Sequence, residues 1–394
     1  MRGQKLWVAL AALLSVGSVA LASVGTKGPD RSPLLGHAAV RKPSQAGALQ
    51  LVLRDGRRTL ADERGRMIQL RGMSTHGLQW FPQILNDNAF AALAEDWGAN
   101  VVRLAMYVGE GGYAADPDKF RQRAMRGIDL AIAHDLYVIV DWHVLTPGDP
   151  RADVYSGAME FFRSVSARYP NDPHLLYELA NEPNGGSADG QPGIPNDADG
   201  WKAVKAYAQP IVDMLRETGN GNIVIVGSPN WSQRPDLAAD DPIDDPLNRT
   251  MYAFHFYAGS HRFSADSGDR QNVMSNVRYA LERGAAVFAT EWGTSEASGN
   301  GGPYLEAADA WLSFLNENNI SWTNWSLANK DETSAALRPF TLGGLPAASL
   351  DPGEGRAWTP EELSVSGEYV RARIKGIPYK PIDRSAPGAR RPLG

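Results

Sequence analysis

The chain contains no cysteine, which removes disulfide frameworks, thiol nucleophiles, zinc fingers, iron–sulfur ligation and lipoprotein-type Cys anchors together. It has no excess of positive charge: 39 Lys and Arg stand against 45 Asp and Glu, net −6, so no nucleic-acid partner is expected. No apolar run exceeds 17 residues, short for a membrane span. There is no His-x-His or His-Glu-x-x-His spacing for a metal, no Gly-x-Ser-x-Gly elbow, no phosphate loop and no internal repeat. Gly 40 and Pro 26 in 394 residues are ordinary globular values. What is plentiful is tryptophan, at eleven residues, to be used either as core or as platforms for flat apolar rings.

The ends separate from the body. A basic start (Arg2, Lys5), an apolar run from Leu6 to Leu14 and Ala20-Leu21-Ala22 make a secretory signal peptide over residues 1–22, the alternative being an uncleaved anchor. Cleavage removes Arg2 and Lys5 and no acid, taking the charge from −6 to −8. Residues 23–47 read as linker and 378–394 as a Pro/Arg-rich tail. The body, 48–377, is then one domain, secreted or periplasmic.

Within it, strand candidates Ile68–Met73, Asn100–Met106, Leu136–Trp142, Leu175–Ala180, Asn222–Val226, Met251–Phe256, Ala286–Thr290 and Ser321–Trp325 alternate with helical patterns at Asn86–Trp97, Asp118–His134, Asp153–Tyr169, Trp201–Thr218, Gln271–Arg283, Tyr304–Asn318 and Pro360–Lys375. The strands are apolar with little alternation, as when both faces are buried. Eight such units predict an α/β fold, a single (β/α)8 TIM barrel. An open doubly wound sheet loses because no Gly-x-Gly-x-x-Gly follows the first strand. Leu49–Leu53 and Arg58–Leu60, joined at Asp55-Gly56, predict a small N-terminal β-hairpin across the barrel floor.

Almost every strand ends in a polar or aromatic cluster, and in a barrel those ends share the rim where active sites are built. Trp80, Trp142, Trp231, Trp292 and Trp325 all fall there, which places half the tryptophans outside the signal peptide where a ligand would lie. A strand's side-chain period of two puts Glu178 deep on the face that carries Glu182 at the rim. Buried, Glu178 must be paired, with Arg103 the plausible partner. Glu182 and Glu291, on strands three apart in an eight-stranded ring, face each other across the mouth. Two opposed carboxyls are what glycoside hydrolysis requires: one protonates the leaving oxygen, the other attacks or activates water. His76, His143 and His255 lie on different strands and are read as orienting carboxylates or binding hydroxyls; no metal and no cofactor is expected.

These residues resemble glycoside hydrolase family 5, in its bacterial endoglucanase (cellulase) branch. The likeness is carried by Leu70-Arg71-Gly72, His76-Gly77-Leu78-Gln79-Trp80, Val102-Arg103-Leu104-Ala105-Met106-Tyr107, Val140-Asp141-Trp142-His143, Ala180-Asn181-Glu182-Pro183, His255-Phe256-Tyr257, Thr290-Glu291-Trp292-Gly293 and Asn324-Trp325. The resemblance implies a retaining endo-β-1,4-glucanase with Glu182 as acid/base and Glu291 as nucleophile. It implies that Asn181 holds the 2-hydroxyl of the sugar being cleaved, that Arg103 and Tyr257 keep the nucleophile ionised and aimed, and that His143 and His255 line the same subsite. Trp325 would be the stacking floor there. Trp80 and Tyr107 would serve more distant sugars and Trp231 the leaving-group side, with Lys330 and Glu332 gripping distal hydroxyls beside Ala297 and Ser298. His76 and Phe81 complete the expected cleft.

Three departures bear on substrate choice: Phe81-Pro82 where Tyr-Gly is usual, a long segment Gly185–Gly193 expected to hang over the leaving-group side, and an extended loop Pro339–Arg356. The expected partner is β-glucan polysaccharide, with no obligatory protein partner and a monomeric chain. A β-mannanase or mixed-linkage glucanase, or a barrel that binds sugar without cleaving it, are the alternative readings.

Overall fold

A computed structural model of the chain describes residues 40–186, 190–261, 272–339 and 346–383. The expected signal peptide, linker residues 23–39, loop residues 340–345 and tail residues 384–394 lie outside the described residues. The docked chain reaches past 48–377 at both ends. Pro43–Ala46 forms a helical turn whose Ser44 backbone N–H donates to Asp135, and the Ile382 backbone N–H donates to Glu368.

A two-stranded antiparallel hairpin comes first, β1 (Gln50–Arg54) and β2 (Arg57–Ala61). Its turn is Asp55-Gly56, both at positive φ (49° and 78°), the geometry an Asp-Gly hairpin turn takes to match strand twist. Eight parallel strands then close a barrel: β3 (Arg71–Thr75), β4 (Val101–Tyr107), β5 (Tyr137–His143), β6 (Leu175–Glu178), β7 (Val224–Val226), β8 (Thr250–Tyr257), β9 (Val287–Gly293) and β10 (Trp322–Leu327). Neighbours pair in chain order and β10 returns to β3. The close approach of β3 to β4 requires glycine at position 72, where a Cβ would meet the Val101 carbonyl oxygen at 1.8 Å.

Helices follow the strands on the outside, the longest being Pro117–Ala133 and Ala198–Glu217. Their starts obey local chemistry: the Asp116 carboxylate accepts from the Lys119 N–H and that of Asp197 from the Asp199 and Gly200 N–H groups, satisfying donors a first turn leaves free. Three expected helices are broken. Asn86–Trp97 is Asp87–Ala91 followed by a π-turn at Ala92–Asp96, while Asp153–Tyr169 and Pro360–Lys375 each open with a separate 3₁₀ turn. A short helix at Pro235–Asp240 was not expected from periodicity.

Alternation along the strands sorts the interior into layers. On β4, Val102, Leu104 and Met106 point out to the helices, while Val101, Arg103, Ala105 and Tyr107 point in. Val101, Ile139, Leu176, Ile225, Met251 and Phe288 fill the lower interior, and Leu60 of the hairpin closes it from below. Above them sits a polar layer, and above that the mouth.

The same alternation corrects the tryptophan placement. Asp141 and His143 face in, so Trp142 between them faces out, buried against Tyr113, Phe161 and Phe162. Trp292 is likewise buried, against Phe256 and Trp322. Of the five rim tryptophans only Trp80, Trp231 and Trp325 reach the mouth.

Removing the Trp142 ring opens a cavity in the barrel–helix layer. Trp142→Ala is expected to cost about 3–5 kcal/mol in a urea melt, because its ring packs in the barrel–helix layer against Tyr113, Phe161 and Phe162.

Candidate active site

The site grows from one guanidinium. Arg103, wholly buried on β4, donates Nε to Glu178 Oε2 (2.7 Å), Nη2 to Asn181 Oδ1 (2.7 Å), and Nη1 to Glu291 Oε2 (3.2 Å) and Ser74 Oγ (3.3 Å). Its Nη2 also lies 3.0 Å from Asp141 Oδ2. Burial alone would weaken its hold on the proton, but Asp141, Glu178 and Glu291 outweigh that and raise its pKa. The pairing expected for Glu178 is the one observed.

The carboxyls around it are raised by the same burial. Glu182 is pushed up to about 8, with Asp141 and Glu178 adding to burial and Arg103 opposing. Glu291 is pushed up to about 7, by burial and Glu182, against His255, Arg103 and the Tyr257 hydrogen bond. Tyr257 donates its hydroxyl to Glu291 Oε1 at 2.7 Å. Glu182 Oε1 lies 2.8 Å from His255 Nδ1, and the other ring nitrogen is 2.9 Å from Thr290 Oγ1. The environments differ in kind: Glu291 is held by a cation and a phenol, whereas Glu182 meets an imidazole that burial lowers to about 4. Such a difference is how two carboxyls acquire opposite protonation roles.

The pair stands close. Glu182, His255 and Glu291 each offer an atom within 4.8 Å of the others. A cation placed there would compete with the Arg103 guanidinium already on Glu291, which argues that the cluster serves proton chemistry.

A cleft of about 520 Å³ opens over this layer. Its lining includes fourteen of the expected residues: His76, Trp80, Tyr107, His143, Glu182, Trp231, His255, Tyr257, Glu291, Ala297, Ser298, Trp325, Lys330 and Glu332. Trp325, before a cis peptide to Ser326, packs its ring 4.8 Å from His76 and 5.6 Å from His143. His143 also stacks on Tyr107, 4.0 Å between centroids. Lys330 Nζ is 2.7 Å from Glu332 Oε2 and 3.3 Å from His76 Nε2. Arg103 and Asn181 stand just beneath the surface, where Asn181 Nδ2 donates to His143 Nε2 at 3.1 Å.

Phe81 departs from expectation: it packs beside the His76 ring and against the core instead of lining the cleft. None of the described residues of Gly185–Gly193 or Pro339–Arg356 lines the cleft either; in the first segment the Pro192 carbonyl oxygen accepts from the Gly148 N–H.

Residues not expected there include Glu110, Leu145, Gln233 and His261 in the lining. Asp141 accepts at 2.6 Å from His143 Nδ1, and an Asp-x-His spacing on a strand is a signal that could have found it. Thr290 is the important omission. The register of β8 and β9 shifts between the pairs Ala253–Phe288 and His255–Glu291, a bulge that lets Thr290 and Glu291 both reach inward.

A carboxyl pair held over a buried cation at the mouth of a (β/α)8 barrel, walled by aromatic rings, defines a glycoside hydrolase. The sequence pattern of Cellulase (glycosyl hydrolase family 5) matches residues 61–331, and the chain belongs to that family. It is 62% identical over 386 residues to an endoglucanase of Halalkalibacter akibai, a match covering 95% of this chain and 48% of that protein; the chain thus spans about half the length of that relative. The alkaline cellulase K catalytic domain is 60% identical, with a TM-score of 0.84 over 88% of this chain and 98% of its own. The catalytic domain of a Thermobifida fusca endoglucanase, a Glu-to-Gln variant in complex with cellotetraose, is 35% identical with a TM-score of 0.70, covering 85% of this chain and 100% of its own.

Burial that raises a carboxyl also makes it a pH-dependent load on the fold. A folded-state pKa above the unfolded value contributes stability below the unfolded pKa, and that contribution is lost as pH rises through the folded value. For Glu182 the loss runs from about pH 4.5 to about 8. Glu182→Gln is therefore expected to unfold like the parent near pH 4 and to be more stable by about 1–3 kcal/mol at pH 9, read from urea melts at both pH values.

Proposed function

We propose that the chain is a secreted retaining endo-β-1,4-glucanase, cleaving internal bonds of cellulose-type glucans by double displacement. The observation that carries this reading is the approach of the Glu182 and Glu291 carboxyls to within 4.8 Å. That spacing leaves no room for the water an inverting enzyme places between sugar and base, and suits direct attack by one carboxylate, for which roughly 5–5.5 Å is usual.

Glu182 is the acid. Its raised pKa keeps a proton to give to the glycosidic oxygen as the bond to the anomeric carbon breaks. Glu291 is the nucleophile; Arg103 on one oxygen and Tyr257 on the other fix its orientation and favour its ionised form. Once the sugar is bound to Glu291, the deprotonated Glu182 takes a proton from water, and the hydroxide so formed releases the sugar with retained configuration. Asn181 and His143, bonded to each other under the cleft, stand ready for the sugar's 2-hydroxyl, and Trp325 supplies the stacking floor beside them. Two carboxyls complete the chemistry between them.

The substrate class follows from the walls. Trp80 and Trp231 are 45% and 41% exposed and both line the cleft, where their ring faces suit the flat faces of β-linked glucose. Trp80 stands on the flank of His76 and Tyr107, and Trp231 on that of Pro183, whose carbonyl oxygen accepts its backbone N–H. Platforms on both flanks suit attack within a chain. Action outside the cell agrees with the signal-like N-terminal sequence and with a polymer that cannot enter one.

Proton NMR of cellopentaose hydrolysis is expected to show the β-anomer of the new reducing end first, with mutarotation following; initial α-anomer would sink the retaining assignment. Glu182→Gln and Glu291→Gln should each lower kcat on soluble β-1,4-glucan by about 10³-fold or more, and mannan should be cleaved poorly by the parent.

A further inference from the structure

We infer that Thr290 fixes the tautomer of His255 and thereby keeps the transferable proton on Glu182, at the end of a hydrogen-bond chain running from Arg103 through Glu178, Thr290 and His255. The inference deepens the assignment of Glu182 as acid and rests on it.

Each hydrogen bond along the chain has one hydrogen to place. Glu178 Oε2 accepts from Arg103 Nε at 2.7 Å and Oε1 faces Thr290 Oγ1 at 2.7 Å. A carboxylate tied to a guanidinium has no hydrogen to give, so the single hydroxyl hydrogen of Thr290 points to Glu178. Toward His255 Nε2, 2.9 Å away, the threonine then offers a lone pair, and Nε2 must carry the ring hydrogen. Burial keeps the imidazole neutral at ordinary pH, which leaves Nδ1 bare. Nδ1 lies 2.8 Å from Glu182 Oε1. Two lone pairs do not meet at that distance, so the hydrogen between them belongs to the Glu182 carboxyl.

The same chain has one other arrangement with equal protons: every hydrogen reversed, Glu178 protonated and Glu182 ionised. Arg103 decides between them. It donates directly to Glu178 and not to Glu182, so the negative charge settles at the Glu178 end. Thr290 transmits that preference because its hydroxyl can donate in only one direction at a time. When Glu182 passes its proton to the leaving oxygen, the C–O electron pair departs with that oxygen and Glu291 bonds to the anomeric carbon. The new Glu182 carboxylate is then left facing the Nδ1 lone pair, which makes it a stronger base toward the water of the second step.

Removing the hydroxyl frees the imidazole to turn its hydrogen to Nδ1 and stabilise ionised Glu182. The groups that set the pH dependence are Arg103, Asp141, Glu178 and Glu291 facing Glu182, with His143, His261, Tyr107 and Tyr257 completing the titratable shell.

The test is the pH profile of kcat/KM for Thr290→Val, with Thr290→Ser as the conservative control. On cellopentaose the alkaline limb of Thr290→Val should move down by about one pH unit, and Thr290→Ser should restore it. With 2,4-dinitrophenyl β-cellobioside, whose leaving group needs no proton, the loss at pH 8 should be about tenfold smaller. An unmoved alkaline limb, or equal losses on both substrates, overturns the inference. Should Thr290→Val fail to fold, nitrogen-15 NMR of His255 in the parent protein decides: a hydrogen on Nε2 is expected, and one on Nδ1 overturns it. Glu182→Gln tells the two claims apart. If it keeps activity on cellopentaose, the acid assignment itself falls, and if it is inactive while the Thr290→Val profile is unmoved, only the relay falls.

Discussion

A single buried guanidinium faces more negative charge than it can neutralise. Arg103 lies within 3.2 Å of Asp141, Glu178 and Glu291, and Glu182 shares the same dry layer. With the histidines held neutral, one cation cannot carry four ionised carboxyls in a medium where an unpaired charge costs several kcal/mol. Protons must remain on some of them. Which carboxyls keep a proton is settled by contact: Glu178 and Glu291 receive Arg103 donors directly, whereas Glu182 receives none. The acid and the nucleophile we propose are thus two outcomes of one shortage, and the surrounding hydrogen bonds only have to read it out.

That shortage depends on backbone geometry as much as on residue type. Asp141 and Glu178 share a level because β5 and β6 pair in register, while Arg103, whose backbone lies opposite Ile139, two residues before Asp141, reaches both carboxylates with its long side chain. On β9 a regular strand would send Thr290 and Glu291 to opposite faces. The bulge places both in the layer, Glu291 against Arg103 and Tyr257 and Thr290 against His255. One extra residue in the strand therefore supplies two inward functional groups where alternation allows one.

The eight strands, the helices between them and the hairpin were legible because apolar runs bounded by turn residues have few other solutions in a chain with no cysteine and no long span. The carboxyl pair was legible because polar residues ending apolar strands are conspicuous and barrel topology brings those ends together. What alternation alone could not supply was orientation. Trp142 and Trp292 sit beside inward-facing acids and histidines in sequence, yet their neighbours occupy the inner face and leave them the outer one. Phe81 follows a cleft tryptophan but turns its ring to His76 and the core. Thr290, two residues past inward-facing Phe288, faces in by ordinary alternation; its place beside Glu291 was hidden because Glu291 shares that face only through a register shift that leaves no trace in composition, and threonine is an ordinary strand residue.

The lower half of the barrel makes the upper half reactive. Val101, Ile139, Leu176, Ile225, Met251 and Phe288 pack the interior beneath Arg103, and Leu60 of the hairpin closes the floor under them. This plug has no contact with the cleft, yet burial is the largest influence raising both Glu182 and Glu291. Water admitted from below would solvate Glu178 and Asp141 and relieve the competition for Arg103. Glu182 would then fall toward an ordinary carboxyl and lose its proton near neutral pH. The hairpin at one end of the barrel and Glu182 at the other are joined by the dryness of the layers between them, so the apolar floor bears on the protonation of the carboxyl pair as well as on the fold.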